Sequence, residues 1–103
     1  MDTFCFSWNN FEQNISSAFQ LLRNNNDFID VTLVSEEGDH LSAHKAILST
    51  SSDFFQDILT KANHTNPLLF LSGFNFKVLT AVLDFIYNGK VNLYQEEVDM
   101  FLE

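Results

Sequence analysis

Residues 75–89 read NFKVLTAVLDFIYNG. Asn75 is placed to cap the start of a helix, and Gly89 to close it in the left-handed conformation that glycine accepts without a Cβ penalty. Between these caps Phe76, Val78, Leu79, Ala81, Val82, Leu83, Phe85, Ile86 and Tyr87 go most of the way round the helix. A helix apolar on nearly every side belongs at the centre of a domain, with other elements packed around it.

Working back from this helix, the preceding elements are shorter. Pro67 opens a strand over Leu68–Leu71, and Ser51 or Ser52 caps a helix expected to bury Phe54, Phe55, Ile58 and Leu59. Lys45–Leu48 reads as a further short helix. Phe28–Ser35 (FIDVTLVS) is alternating and rich in β-branched residues. It is followed by the turn Glu36-Glu37-Gly38-Asp39 and a second strand, His40–Ala43, which together predict a hairpin. Phe11, Ile15, Ala18, Phe19 and Leu22 form one apolar stripe on a helix that the run Asn24-Asn25-Asn26-Asp27 ends. Beyond the central helix, Lys90–Leu93 (KVNL) predicts a short strand. Gln95–Glu103 begins another helix, with Val98, Phe101 and Leu102 on one face. The pattern stops inside that helix, so a fragment of a longer protein is expected. Together these elements predict an α+β domain.

Composition bounds the function. The chain has 103 residues, of which 46% are apolar and twelve are Phe; this suffices for one core and is far too apolar for disorder. Fourteen acidic residues against five basic ones give a formal charge of −9, and no basic cluster exists to neutralise phosphates, so direct nucleic-acid binding is not expected. Cys5 is the single cysteine, which excludes an internal disulfide and any all-cysteine metal site within one chain. No apolar run approaches the ~18 residues of a membrane span. His40, His44 and His64 lack a metal-ligand spacing, Ser49–Ser52 lacks a nucleophile elbow, and Gly38, Gly73 and Gly89 stand apart, so no enzyme, cofactor or metal site is expected.

The opening residues, MDTFCFSWNNF, raise a separate question. Phe4, Phe6 and Trp8 alternate with Cys5 and Ser7, as on a strand with one apolar face, yet they stand at a chain end where order is usually lost. Either this segment folds back as an edge strand on its own sheet, or it pairs with another chain.

FCFSWNNF, DFIDVTLVSEEGDHLSAHKAILSTSS and DFIYNGKVNL together resemble a BTB (POZ) domain over essentially the whole of residues 1–103, and within that family the Tramtrack group of insect transcription factors. The aromatic-x-hydrophobic-x-Trp-Asn hallmark falls on Phe4, Phe6, Trp8 and Asn9. Asp30–Leu33, Ala43–Lys45 and Tyr87–Val91 match in order and spacing, whereas Ser51–Phe55 and Leu71–Gly73 depart from the group's usual runs. The resemblance implies a small mixed sheet, a cluster of helices and an N-terminal strand swapped onto a second subunit, where it pairs with Lys90, Val91, Asn92 and Leu93. It also implies that the chain stops before the family's final helices. The helix carrying Phe11, Ile15 and Phe19 would add to the subunit contact. Asp30 and Lys45 would form a charged pair at the floor of a groove between subunits that takes up peptide segments.

The function implied is that of a homo-oligomerisation and protein-interaction module in a nuclear, chromatin-associated transcription regulator. Its partner would be itself, as a dimer or larger even-numbered multimer, with other BTB domains and corepressor or chromatin proteins as further partners. The alternative is a BTB substrate adaptor of a cullin-type ubiquitin ligase. That reading expects a hydrophobic-x-Glu element after the Phe54-Phe55 helix, where Lys61–Thr65 has none.

Overall fold

The computed structural model describes residues 2–62 and 64–89. In chain order these form α1 (Phe11–Asn24), β1 (Val31–Val34), β2 (His40–Ala43), α2 (Lys45–Ser51), α3 (Asp53–Lys61), β3 (Leu68–Phe70) and α4 (Phe76–Asn88). The sheet has the order β2-β1-β3. β1 and β2 are the expected antiparallel hairpin, with Val31 opposite Ala43 and Val34 opposite His40. Gly38, at a φ of 97°, supplies the reversal in the turn between them. β3 lies parallel to β1 on its other side, with Leu33 opposite Leu69. The connection between β1 and β3 contains β2, α2 and α3, because parallel neighbours cannot be joined by a tight turn.

Val31, Leu33, Ala43, Ile47, Leu48, Phe55, Leu71, Leu79, Leu83 and Tyr87 make one buried core. α4 supplies three of them, in keeping with its expected central place. Its caps are those read from the sequence: the Asn75 side chain accepts the Val78 N–H at 2.8 Å, and Gly89 adopts a φ of 80°. The helix is not covered on every side, however, since Phe76 and Phe85 are exposed within one chain. Ser52 caps α3 by accepting the Phe55 N–H. Of the four residues expected to be buried there, Phe55 is in the core and Ile58 and Leu59 are half-buried, but Phe54 is exposed.

The first strand is shorter than its composition suggested. It starts at Val31 rather than Phe28, because the chain is still leaving α1: Asn25 and Asp27 donate N–H bonds back to Leu21 and Leu22, and Phe28 takes a φ of 59° with its ring in solvent. Alternation in FIDVTLVS is a local property, and the helix exit overrides it in the first three residues. The third strand likewise ends at Phe70, one residue earlier than expected. Residues 2–8 join no strand, so the reading in which they fold back on their own sheet is not realised. The expected strand at Lys90–Leu93 and the helix at Gln95–Glu103 lie outside the described residues.

Candidate functional site

The chemistry of this chain is concentrated at its opening. Phe4, Phe6 and Trp8 are 82%, 93% and 60% exposed. The Trp8 ring packs on Phe11, edge-to-face at 5.0 Å, which ties the segment to the first turn of α1. Asn9 is exposed in the turn, and Asn10, at a φ of 60°, starts the helix without a side-chain cap. Three consecutive alternate positions bearing large apolar side chains in water form a patch of the kind that marks an interaction surface.

α1 continues that surface. It has no fully buried residue, although Ile15 and Phe19 are half-buried and Phe19 packs on the core. Phe11, Ile15 and Phe19 line one wall of an open groove of about 330 Å³ whose other wall is Ile86, Tyr87 and Gly89 at the end of α4. α1 is held against α4 by the Arg23–Asp84 ion pair at 2.8 Å, and the Arg23 guanidinium lies 5.3 Å from the centre of the Tyr87 ring. Of the expected interface residues, therefore, Phe4, Phe6, Trp8, Asn9, Phe11, Ile15 and Phe19 fall on one continuous stretch leading into a groove. Lys90, Val91, Asn92 and Leu93 lie outside the described residues.

Asp30 and Lys45 do meet, but not as a pair of charges. The Asp30 carboxylate accepts the backbone N–H of Lys45 at 2.7 Å, while the Lys45 ammonium donates to the His64 carbonyl at 2.8 Å. Asp30 thus caps the start of α2 from the position just before β1, because the residue at that helix's own cap position, His44, uses its side chain elsewhere. Asp30→Ala should cost about 1–2 kcal/mol, whereas Lys45→Met should stay within ~0.5 kcal/mol. Denaturant titrations of both single variants and the double variant check this. Coupling near zero is expected; coupling above ~1 kcal/mol would mean that the side chains act as a pair.

His44 makes a network whose partners are far apart in sequence. Its Nδ1 lies 2.7 Å from the Tyr87 hydroxyl, its Nε2 lies 2.8 Å from the Asp27 carbonyl, and its backbone N–H donates to the same hydroxyl at 3.0 Å. A single proton arrangement satisfies every group: Nε2–H donates to Asp27, and the Tyr87 O–H donates to Nδ1 while its oxygen accepts the His44 N–H. His44 is thereby committed to holding β2, α4 and the exit of α1 together. His40, by contrast, is exposed at the hairpin. Among the described residues no three His, Cys, Asp or Glu side chains converge as a metal site would require, and no helix is long and apolar enough to cross a membrane.

The family model of the BTB/POZ domain matches residues 19–103. The chain is 40% identical over 100 residues to the Broad-complex core protein isoforms 1/2/3/4/5 of Drosophila melanogaster, covering 97% of this chain and 14% of that protein. It is 37% identical over 99 residues to the alpha isoform of Protein tramtrack from the same organism, covering 96% of this chain and 12% of that protein. With the Drosophila Longitudinals lacking protein-like it shares 37% identity over 100 residues, covering 78% of that protein. The chain therefore spans a seventh or less of two of these relatives and most of the third. The solved BTB domain of zebrafish PATZ1 superposes with a TM-score of 0.81 at 21% identity, covering 97% of this chain and 81% of that one, which shows the shared fold. With the α+β architecture, the hairpin and the aromatic opening segment in place, these matches establish that the chain belongs to the BTB/POZ family and is of Tramtrack type.

Proposed function

We propose that this domain is the self-association module of a nuclear, chromatin-associated transcription regulator. BTB/POZ domains are protein-interaction modules that mediate homo- and heterodimerisation, and they are not an enzyme family. The observation that carries the reading is the exposed row Phe4, Phe6 and Trp8 leading into the α1 groove, a surface that one chain leaves in water. In this reading the opening segment crosses to a second copy, pairs with residues 90–93 there, and brings Phe11, Ile15 and Phe19 against the same neighbour. The chain's relatives include Drosophila proteins such as tramtrack and Broad-complex, which supports a place in transcription and hence in the nucleus.

In this reading a domain of charge −9 does not contact DNA itself, and that contact falls to other parts of the protein. What the domain contributes is effective concentration: chains joined here hold clustered sites more tightly than single chains can. Light scattering after size exclusion should give at least twice the mass of one chain, and duplex DNA should not bind at micromolar protein in physiological salt. A monomeric mass would overturn the reading of the surface. Micromolar DNA binding would overturn the division of labour.

A further inference from the structure

Among the described residues β3 is an edge of the sheet, and two hydrogen bonds fix which of its backbone groups face inward. The Thr32 N–H donates to the Pro67 carbonyl at 3.1 Å and the Leu71 N–H donates to the Val34 carbonyl at 3.0 Å. Residues 67, 69 and 71 therefore turn towards β1, and the N–H and C=O of Leu68 and Phe70 point away from it. These same two residues are each 59% exposed. An open edge bearing apolar side chains is ordinarily blocked by lysine, a bulge or a covering segment. Here the run from residue 62 to residue 76 contains no Asp, Glu, Lys or Arg.

We infer that this edge pairs with β3 of a second copy, antiparallel about a two-fold axis at Leu69. That register sets Leu68 of each copy opposite Phe70 of the other, and each such pair exchanges both of its backbone bonds. The four resulting hydrogen bonds satisfy every outward group on both strands, and each leucine lies beside a phenylalanine on one face of the joined sheet. Charge favours the same occupant. Two chains of −9 repel over most of their surface, and a neutral run of fifteen residues is where they approach at least electrostatic cost. Pro67 ends the strand, so the pairing uses up both edges and closes at two chains instead of propagating.

Three residues a side make a weak contact alone. Its strength in solution rests on the proposed dimer at the opening segment, which presents two such edges at once and turns weak pairing into larger even-numbered assemblies.

The test is light scattering on L68K/F70K. Both side chains are exposed, so the unfolding midpoint should stay within a few degrees of the parent, while the mass at equal concentration falls to half or less. L68T/F70T keeps strand propensity without charge and should give an intermediate mass. In the C5S/L68C/F70C variant the opposed positions stand ~5.5 Å apart between Cα atoms, within disulfide reach, and oxidation should link two chains. Parental mass for L68K/F70K, or no interchain disulfide, overturns the pairing. Deleting residues 1–9 probes the other surface alone, so the two failures are distinguishable: parental mass after that deletion counts against the opening segment, not against β3.

Discussion

Replacing Tyr87 with phenylalanine should destabilise the domain by about 2–4 kcal/mol, although one oxygen atom is all that is lost. The ring and its place in the core remain, together with the guanidinium of Arg23 beside it. What disappears is the partner of two buried groups, the backbone N–H and the Nδ1 of His44, and neither can reach water without opening the junction of β2 with α4. Against a total stability on the order of 5–15 kcal/mol this is a large fraction, worth roughly 10–20 °C in the unfolding midpoint of a chain this size. The sign with pH is also determined. Burial raises the Tyr87 phenol above the ordinary tyrosine value of about 10, against smaller opposing effects of the His44 N–H and Arg23. The folded chain therefore holds this proton more firmly than the unfolded chain does. The stability it contributes is complete below pH ~10 and is lost as pH rises beyond that value towards the folded pKa. Tyr87→Phe lacks this dependence, so the gap between parent and variant should narrow above pH ~10 in denaturant titrations. A variant as stable as the parent at pH 7 would contradict the network.

Deleting residues 1–9 has an effect whose size depends on whether chains associate. Within one chain the segment's aromatic contact is Trp8 against Phe11, and losing that pair costs about 1 kcal/mol. If a second copy covers Phe4, Phe6 and Trp8, the loss is several kcal/mol, the mass drops to a weak dimer or monomer, and the parent's unfolding midpoint rises with concentration while that of the truncated chain barely does. The shortened chain should also aggregate more readily, because removing a pairing strand leaves a sheet edge open. A midpoint within a few degrees of the parent and an unchanged mass would leave the opening segment without a role in assembly.

The parts of this fold legible from the sequence are those set by local chemistry. Asn75 and Gly89 bound α4 because capping and the left-handed turn depend on single residue types, and Gly38 reverses the hairpin for the same reason. Ser52 likewise starts α3. The readings that failed concern what lies across the fold. The strand expected from Phe28 begins at Val31, since the exit of α1 takes up Asp27 and Phe28. Asp30 and Lys45 were legible as neighbours but not as cap and helix start, because a charged side chain that binds a backbone N–H looks the same in sequence as one that binds an opposite charge. The His44–Tyr87 bond joins residues 43 apart, and no periodicity reports it. Phe54 reads as buried from its place in the apolar pattern of α3 and is exposed, because a pattern of apolar residues does not distinguish burial in one chain from burial against a second.

Trp8 is the only tryptophan in the chain, so its fluorescence reports on the opening segment without any label. In one chain Trp8 is 60% exposed. If a second copy covers it, emission at concentrations where light scattering finds assembled protein should be blue-shifted and protected from acrylamide, and it should move to that of a solvated indole on dilution, in step with the fall in mass. Solvated emission and unhindered quenching in the assembled protein would contradict the account, because the chains would then be joined by some surface other than the strand that carries Phe4, Phe6 and Trp8.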